Sequence, residues 1–251
     1  MPCVPATSSA RYARSWESNT VGPVLRSAGV VDTIFVPEGL EARVVRDAVE
    51  AAGAPISVIA MGIGPERAAE VVSRALYGSR IERALVTGVC GLLAPHFHPG
   101  EALLYADVRS ETDPSAATDR NLTTTLASML SRPRSGIRAL SWSRVVTSAR
   151  EKGQLAGRYD ADAVDMESYA ALSVLRGAGV TTAVMRVGSD AAGDDLPEVN
   201  RALVNGVLDG PRLAFAMLRA PREAAGMAWH GMLALMRLKN AVSRIARGRT
   251  R

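Results

Sequence analysis

The sequence predicts one α/β domain in three layers, with a mixed, largely parallel central sheet flanked by helices. From residue 31 onward, short runs rich in β-branched residues alternate with longer runs of helical periodicity. This alternation is typical of parallel strands joined by helical crossovers. Glycine or proline stands at many junctions, as in GIGP at residues 62–65, where helices end and the chain turns tightly. Hydrophobic residues make up 47% of the chain and charged residues 22%, which are globular values.

The predicted elements follow one another in a regular order. The strand-like runs are, in sequence, VDTIFV, PISVIAMG, ERALVTG, EALLYADV, SRVVTS and residues 181–187. Helical patterns lie between several of them, including LEARVVRDAVEAAG, PERAAEVVSRALYG and a run that begins after Glu167. Residues 110–138 are rich in Ser, Thr, Asp and Pro around one short helical pattern. We therefore expect this segment to be an excursion on the side of the sheet that carries the active site.

Charge divides the 251-residue chain into three regions. Residues 1–30 are rich in Ser and Arg with weak periodicity, and we expect a poorly ordered extension. Residues 31–220 form the predicted α/β domain. Residues 221–251 form a predicted basic amphipathic helix, because residues 212–251 contain nine Arg or Lys and one acid, Glu223. Residues 212–251 therefore have a formal charge of +8, which leaves −3 for the other residues of a chain whose net charge is +5.

Several classes of protein do not fit the sequence. No apolar run reaches the roughly 20 residues of a membrane span, and the N-terminus lacks an apolar signal core. Cys3 and Cys90 lie too far apart to suggest a disulfide framework. His96 and His98 have no third metal ligand nearby, and no nucleic-acid surface is indicated. We therefore expect a cytoplasmic protein without a metal.

Carboxylates stand at both ends of the run VDMESYAALSVLRGAGVTTAVMRVGSDAAG, residues 164–193. Glu167 precedes the helical pattern, and Asp190 follows the strand-like residues 181–187. Open α/β sheets bind their ligands at the carboxyl ends of strands, so both acids are expected at one rim. A carboxylate at a helix start is equally typical of a cap, and that alternative stays open for Glu167 alone.

The sequence resembles the purine nucleoside phosphorylase and uridine phosphorylase superfamily, which includes the methylthioadenosine/S-adenosylhomocysteine nucleosidases. VDMES is followed about twenty residues later by MRVGSDAAG, as in that superfamily. VIAMGIGPERAAEVVSRAL and LVTGVCGLLAPHFHPGEALLYADV agree with it in order and spacing, so the resemblance covers roughly residues 33–218. It implies cleavage of the N-glycosidic bond of a purine nucleoside by an enzyme that forms homo-oligomers.

The resemblance also implies roles for individual residues. Met166 and Glu167 match the pair beneath the ribose, where a carboxylate accepts hydrogen bonds from two hydroxyls. Asp190 matches the acid that protonates N7 of the leaving purine, which requires a raised pKa. Further substrate contacts are implied for Val89, Cys90, Gly91 and Ser189.

The nucleophile is left open between water and inorganic phosphate, and no other cofactor is implied. Glu41 occupies approximately the place of the water-activating glutamate of the nucleosidases. Gly39 and Arg43 have the spacing of the phosphate clamp of the phosphorylases, with Gly64 as a further contact. Thr87 stands where phosphorylases often have a second phosphate-binding Arg, and Val89 stands where nucleosidases usually have Ser.

The basic C-terminal segment points to a particular branch of the superfamily. In residues 222–249, Trp229, Met232, Leu233 and Met236 share one predicted helical face among Arg and Lys residues. This composition is typical of a helix at an anionic membrane surface, while packing on the domain or on a partner subunit remains the alternative.

With DMES and LPEV, this segment resembles the hopanoid-associated phosphorylase group, which implies release of adenine from adenosylhopane by a peripheral membrane enzyme. A soluble methylthioadenosine/S-adenosylhomocysteine nucleosidase and a non-catalytic nucleoside-binding protein are the alternatives.

Overall fold

A computed structural model of the chain describes residues 29–204 and 207–248. The strands are β1 Thr33–Pro37, β2 Ser57–Met61, β3 Arg83–Leu92, β4 Ala102–Arg109, β5 Ala116–Ala117, β6 Arg134–Ser141, β7 Ala163–Asp165, β8 Thr181–Asp190, β9 Leu203–Val204 and β10 Val207–Leu208. The helices are α1 Leu40–Ala52, α2 Pro65–Gly78, α3 Arg120–Met129, α4 Ala149–Tyr159, α5 Ser168–Gly177, α6 Gly210–Arg219 and α7 Pro221–Ala246, with a 3-10 turn at Val199–Ala202. The extension predicted for residues 1–30 lies almost wholly outside the described residues.

The central sheet is mixed and largely parallel, as predicted. β1 pairs in parallel with β2 and β3, and β3 pairs in parallel with β8. β8 runs antiparallel to β4, and the order continues through the parallel pairs β4–β6 and β6–β7. A short antiparallel contact between Gly91–Leu92 of β3 and Ala163–Val164 of β7 closes a ring of five strands, β3, β8, β4, β6 and β7. The ring brings the ends of β3, β7 and β8 close to one another.

Helices cover both faces of the sheet and make the outer layers. α1, α3 and α7 share one hydrophobic core with Leu85 of β3 and Met185 of β8. α2 and α5 share a second core on the other face, which includes Val86 and Val184. A third cluster packs part of α4 against Leu140 and Val164. Adjacent residues of β3 and β8 alternate between the two cores, because successive side chains of a strand point to opposite faces.

The structure corrects the assignment of the fifth strand. The run SRVVTS, residues 143–148, is a loop, and the strand is β6, which precedes it. β6 begins with three exposed residues and contains Gly136 at φ +79, where its register with β4 shifts. A bulge of this kind breaks the apolar alternation by which a strand is predicted. Val146 of the loop is buried, which explains why its β-branched run looked like a strand.

Residues 110–138 do not form the excursion that was predicted on the active-site side of the sheet. This segment supplies β5, α3 and the start of β6, and none of its residues lines the large cavity of the described chain. α3 instead buries Leu122, Leu126 and Met129 in the core shared with α1 and α7. The polar composition reflects the exposed turns around α3 and the N-cap at Asp119, whose side chain accepts from the Leu122 amide at 2.8 Å.

The C-terminal helix is present and forms part of the domain. α7 buries Ala234, Leu238, Ala241, Val242 and Ile245 against the core that contains α1. The opposite face of the helix leaves Trp229, Met232 and Met236 exposed, at 68%, 58% and 53% of their surface. Across residues 29–204 and 207–248, no helix is both long enough and apolar enough to cross a membrane.

Candidate active site

A cavity of about 580 Å³ lies where β3, β7 and β8 end. It has the volume typical of a site for a small organic ligand. Most of the residues predicted from the sequence line it: Gly39, Glu41, Val89, Cys90, Gly91, Met166, Glu167, Ser189 and Asp190. Gly64 lies just behind this wall and contacts Glu167. Arg43 is exposed on α1 and does not line the cavity.

Glu167 is held at the start of α5 by contacts on both carboxylate oxygens. Oε1 accepts a hydrogen bond from the Gly64 amide at 3.0 Å, and Oε2 accepts one from Arg186 Nη2 at 3.3 Å. Gly64 has φ +96, a conformation that suits glycine. The Glu167 side chain makes no capping hydrogen bond to α5, so the simple cap role does not describe it. Glu167 lines the cavity beside Met166.

Asp165 fixes the turn that carries Glu167. Its Oδ1 accepts hydrogen bonds from the Ser141 hydroxyl at 2.8 Å and from the amides of Glu167 and Ser168 at 3.1 and 2.9 Å. These contacts satisfy donors at the N-terminus of α5 that have no partner within the helix. Asp165 therefore acts as the capping carboxylate of this turn, which leaves Glu167 free to point into the cavity.

Arg186, in the middle of β8, is fully buried among these acids. Besides Glu167, its Nε donates to Ser168 Oγ at 3.1 Å and lies 3.5 Å from Asp165 Oδ2. Burial of a cation is costly unless carboxylates and hydrogen bonds compensate it. Sequence analysis did not single out Arg186, although a charge inside an otherwise apolar strand was the available signal.

Glu41 reaches the cavity from the first turn of α1. Its Oε2 accepts a hydrogen bond from the Val89 amide at 2.7 Å. This N–H group of the glycine loop, residues 88–91, is therefore already paired with Glu41. Burial raises the pKa of Glu41 to about 7, Arg186 opposes this shift, and Glu167 adds to it. A carboxylate with such a pKa can accept a proton at neutral pH.

Gly88 allows this approach of Glu41. A Cβ atom at residue 88 would overlap Oε2 of Glu41 and Nη1 of Arg186, and it would lie 2.9 Å from Pro37 Cδ. The backbone there has φ +146. A residue without a side chain is required where the two charged groups meet over the strand.

Asp190 ends β8 on the other side of the cavity. Ser189 Oγ lies 2.8 Å from its Oδ1 and 3.1 Å from the Cys90 carbonyl oxygen, and Lys152 Nζ lies 2.5 Å from its Oδ2. Burial raises the pKa of Asp190, and the ammonium of Lys152 opposes the shift. Burial also raises the pKa of Cys90, which keeps that thiol neutral.

The upper wall of the cavity is apolar and comes from distant parts of the chain. The loop after β6 contributes Val145 and Val146, and Leu196 and Val199 follow β8. α6 and α7 complete it with Leu213, Met227, Gly231 and Leu235. Leu40 lines the cavity and is 65% exposed, which places it at an opening. The site thus joins a charged floor to an apolar wall.

Metal binding is not indicated by any cluster in the part of the chain that the structure describes. No three His, Cys, Asp or Glu side chains are grouped there as ligands.

Comparison with known proteins places this site in a family. The family model of the phosphorylase superfamily matches residues 30–210, so the chain belongs to the phosphorylase superfamily. Membership of this superfamily supports an enzyme of the nucleoside phosphorylase or nucleosidase kind. A comparison with curated protein sequences found no match.

Solved structures of the same fold include two nucleosidases and a futalosine hydrolase. The methylthioadenosine/S-adenosylhomocysteine nucleosidase of Neisseria meningitidis, in complex with methylthio-immucillin-A, has a TM-score of 0.67 at 14% identity, over 86% of this chain and 99% of that one. The corresponding Helicobacter pylori enzyme has a TM-score of 0.61 at 16% identity, over 84% and 96%. Futalosine hydrolase of Helicobacter pylori gives 0.62 at 16% identity, over 84% and 96%. At these identities the likeness concerns the fold.

Proposed function

We propose that the protein hydrolyses the N-glycosidic bond of an adenine nucleoside with a large apolar 5′ substituent. The observation that carries the proposal is the placement of Glu41, Glu167 and Asp190 around one cavity whose remaining wall is apolar. Cleavage develops positive charge on the ribose and negative charge on the leaving base. Carboxylates stabilise the first, and a proton from Asp190 neutralises the second.

Each acid has a distinct part in this reaction. Glu167 accepts hydrogen bonds from the ribose hydroxyls while Met166 provides the apolar surface below the sugar. Asp190 donates its proton to N7 of adenine as the bond between C1′ and N9 breaks, and the electron pair leaves with the base. Glu41 takes a proton from the attacking water, whose oxygen bonds to C1′. The products are free adenine and a ribose that retains its 5′ substituent.

Water is favoured over phosphate by the charges around the cavity. Glu41, Asp165 and Glu167 surround a single buried guanidinium, Arg186, which is already paired with two of them. A phosphate anion at this place would face like charges at close range. The Val89 amide is engaged by Glu41, and Arg43 of the expected phosphate clamp is exposed. These contacts support hydrolysis, although inorganic phosphate remains the alternative co-substrate.

The finer part of the proposal is that the 5′ substituent is a lipid, as in adenosylhopane. The apolar side chains of α6 and α7 beside the cavity support it, because a ribose bound over Glu167 would direct a substituent toward nonpolar surface. The exposed Trp229, Met232 and Met236 on α7 support peripheral membrane association. They are flanked by exposed Arg237, Lys239 and Arg244, the arrangement of an interfacial helix.

Assembly into a homo-oligomer, implied by the family resemblance, belongs to the same proposal and is measured by analytical ultracentrifugation. A methylthioadenosine/S-adenosylhomocysteine nucleosidase is the second candidate, and the shared fold favours it.

Adenine release tests the proposal directly. The substrates are methylthioadenosine in buffer and adenosylhopane in liposomes, each with and without inorganic phosphate. We expect release from both without phosphate, with the lipid nucleoside preferred, and loss of release with Asp190→Asn. A strict requirement for phosphate would overturn water as the nucleophile, and a preference for methylthioadenosine would favour the second candidate. Binding of adenine nucleosides without turnover would indicate a binding protein.

A further inference from the structure

Lys152 is the least expected charged residue near the cavity. It belongs to α4 and has no exposed surface, although lysine is almost never fully buried without a partner. Its Nζ contacts Asp190 Oδ2 at 2.5 Å, the Ala191 carbonyl oxygen at 2.8 Å and the Asp194 carbonyl oxygen at 2.9 Å. The three donors of the ammonium are therefore all used. Lys152 does not itself line the cavity.

The surrounding contacts give this ammonium a fixed position. Ser148 caps α4 through its hydroxyl, which accepts from the Glu151 amide at 3.2 Å. Asp195 Oδ1 accepts from the Ala149 amide at 2.8 Å, and the Leu196 amide donates to the Thr147 carbonyl oxygen at 2.7 Å. The start of α4 and residues 191–196 are thus joined by several hydrogen bonds. Lys152 lies between them and reaches the carboxylate of Asp190.

We propose that Lys152 is a positioning residue that orients Asp190 as the proton donor and stabilises its carboxylate after the proton has left. This inference rests on the proposed function of Asp190. The ammonium donates to Oδ2, so the transferable proton belongs on Oδ1. The Ser189 hydroxyl lies within hydrogen-bond distance of both Oδ1 and the Cys90 carbonyl oxygen, so it can donate to Cys90 while Asp190 is neutral and to Oδ1 once the proton has left.

The charge balance of the step explains the need for a cation. The O–H bond of Asp190 breaks, the proton bonds to N7 of adenine, and Asp190 becomes a carboxylate. Lys152 stays protonated throughout and gives up no proton. It faces a neutral acid before the step and an anion after it, so its attraction grows as the base departs. An interaction that strengthens in the transition state raises the rate.

A comparison of two leaving groups tests this role. Adenine requires protonation, whereas 4-nitrophenolate from 4-nitrophenyl riboside departs without it. We expect Lys152→Met to lower kcat for methylthioadenosine by roughly 10- to 100-fold, which is part of the about 10²–10⁴-fold that general acid catalysis contributes. Its kcat for 4-nitrophenyl riboside should change less than threefold. Arg74 of α2 is an exposed cation paired with Glu70 and does not line the cavity, and Arg74→Met is the matched control.

A double-mutant cycle gives a second measurement. In the Asp190→Asn background, Lys152→Met should cause little further loss, because the acid it serves is gone. Equal losses with both substrates would show a structural role for Lys152 and overturn the inference. If Lys152→Met does not fold, Lys152→Arg is used instead. The ratio of kcat for methylthioadenosine to kcat for 4-nitrophenyl riboside should then fall severalfold. An unchanged ratio in a folded variant overturns the inference. A wild-type protein that cleaves neither substrate would instead refute the proposed function.

Discussion

At the scale of single residues, the site depends on how burial sets the charge of each acid. Glu41 and Asp190 are both carboxyl groups with raised pKa values, yet their partners differ. Glu41 accepts a hydrogen bond from an amide and stands near Arg186 and other carboxylates, whereas Asp190 has an ammonium and a hydroxyl as partners. Different environments of this kind allow two carboxyl groups to serve as base and acid in one reaction.

The pH dependence of Glu41 is the first prediction. As the proposed base it must be ionised, so kcat/KM for methylthioadenosine should rise about tenfold per pH unit below pH 7, and the rise should end near that pH. This sign follows from the pKa of about 7, since protonation below that pH removes the base. Ionisation of the proposed acid, Asp190, should lower the rate again at higher pH. Steady-state rates between pH 5 and 9 measure the profile.

Glu41→Gln provides the control, with an expected rate loss of roughly 10²–10⁴ and no remaining rise near pH 7. An unchanged profile in this variant would show that another group titrates.

At the scale of elements, α7 has three different surfaces. One surface lines the cavity with Met227, Gly231 and Leu235, and a second packs into the core from Ala234 to Ile245. Its opposite side is exposed and apolar. α7 therefore does pack on the domain, which was one of the two alternatives from the sequence. This packing leaves the exposed apolar side of the helix available for binding to a surface. Deleting the helix would remove core residues, so substitutions are the better probe.

The packed side of α7 predicts a large effect on stability. Leu238→Ala should lower the free energy of unfolding by about 2–5 kcal/mol, because it opens a cavity beside α1. Met236→Ala, two residues earlier in the same helix, should change it by less than about 0.5 kcal/mol. Urea denaturation followed by circular dichroism measures both. Similar values for the two variants would mean that α7 is not packed as described.

The exposed side of α7 predicts binding to anionic vesicles. Replacing Trp229, Met232 and Met236 together by Ser should weaken binding to phosphatidylglycerol vesicles at least tenfold, since each large apolar side chain contributes about 1.5–3 kcal/mol when buried. Vesicle co-sedimentation measures the change. Tyr77→Ser on α2, which removes a side chain that is 92% exposed elsewhere, is the control. Equal binding by wild type and triple variant would refute the membrane proposal.

At the scale of the whole molecule, the cavity combines elements that are far apart in sequence. α1, β3, β7, β8, α6 and α7 all contribute to its wall. The closure of β3 on β7 through Gly91 and Val164 brings the glycine loop against the segment that carries Glu167. The C-terminal helices then add nonpolar surface around the opening. Under the proposed function, selectivity for the 5′ substituent would therefore depend on the complete fold.

A series of substrates tests this property. For 5′-alkylthioadenosines, kcat/KM should increase about fourfold for each added methylene from methyl to hexyl, on the basis of about 0.8 kcal/mol per buried CH₂. Leu235→Asp should abolish this increase and leave methylthioadenosine turnover within about threefold. A wild-type series that is flat, or that falls with chain length, would contradict an apolar subsite beside α7.

The sequence by itself determined the class of fold and nine of the residues that line the cavity. Hydrophobic periodicity identified β1, β2, β3, β4 and β8, because buried strands require continuous apolar runs. The ends of the predicted helix and strand placed Glu167 and Asp190 at one rim of the sheet, and both line the cavity. The predicted position of the fifth strand was wrong, because β6 starts with exposed residues and contains a bulge.

Only the tertiary structure decided the partners of these acids. Lys152 belongs to AREKGQLAGR, a run that looks like a solvated helix, and 38 residues separate it from Asp190. Arg186 was visible as a charge in a strand, but its pairing with Asp165 and Glu167 depends on how β7 and β8 meet. Helical periodicity likewise cannot distinguish the packed face of α7 from its exposed face when both are apolar. Contacts between distant segments leave no fixed spacing in the sequence, and the pKa of a buried acid depends on those contacts.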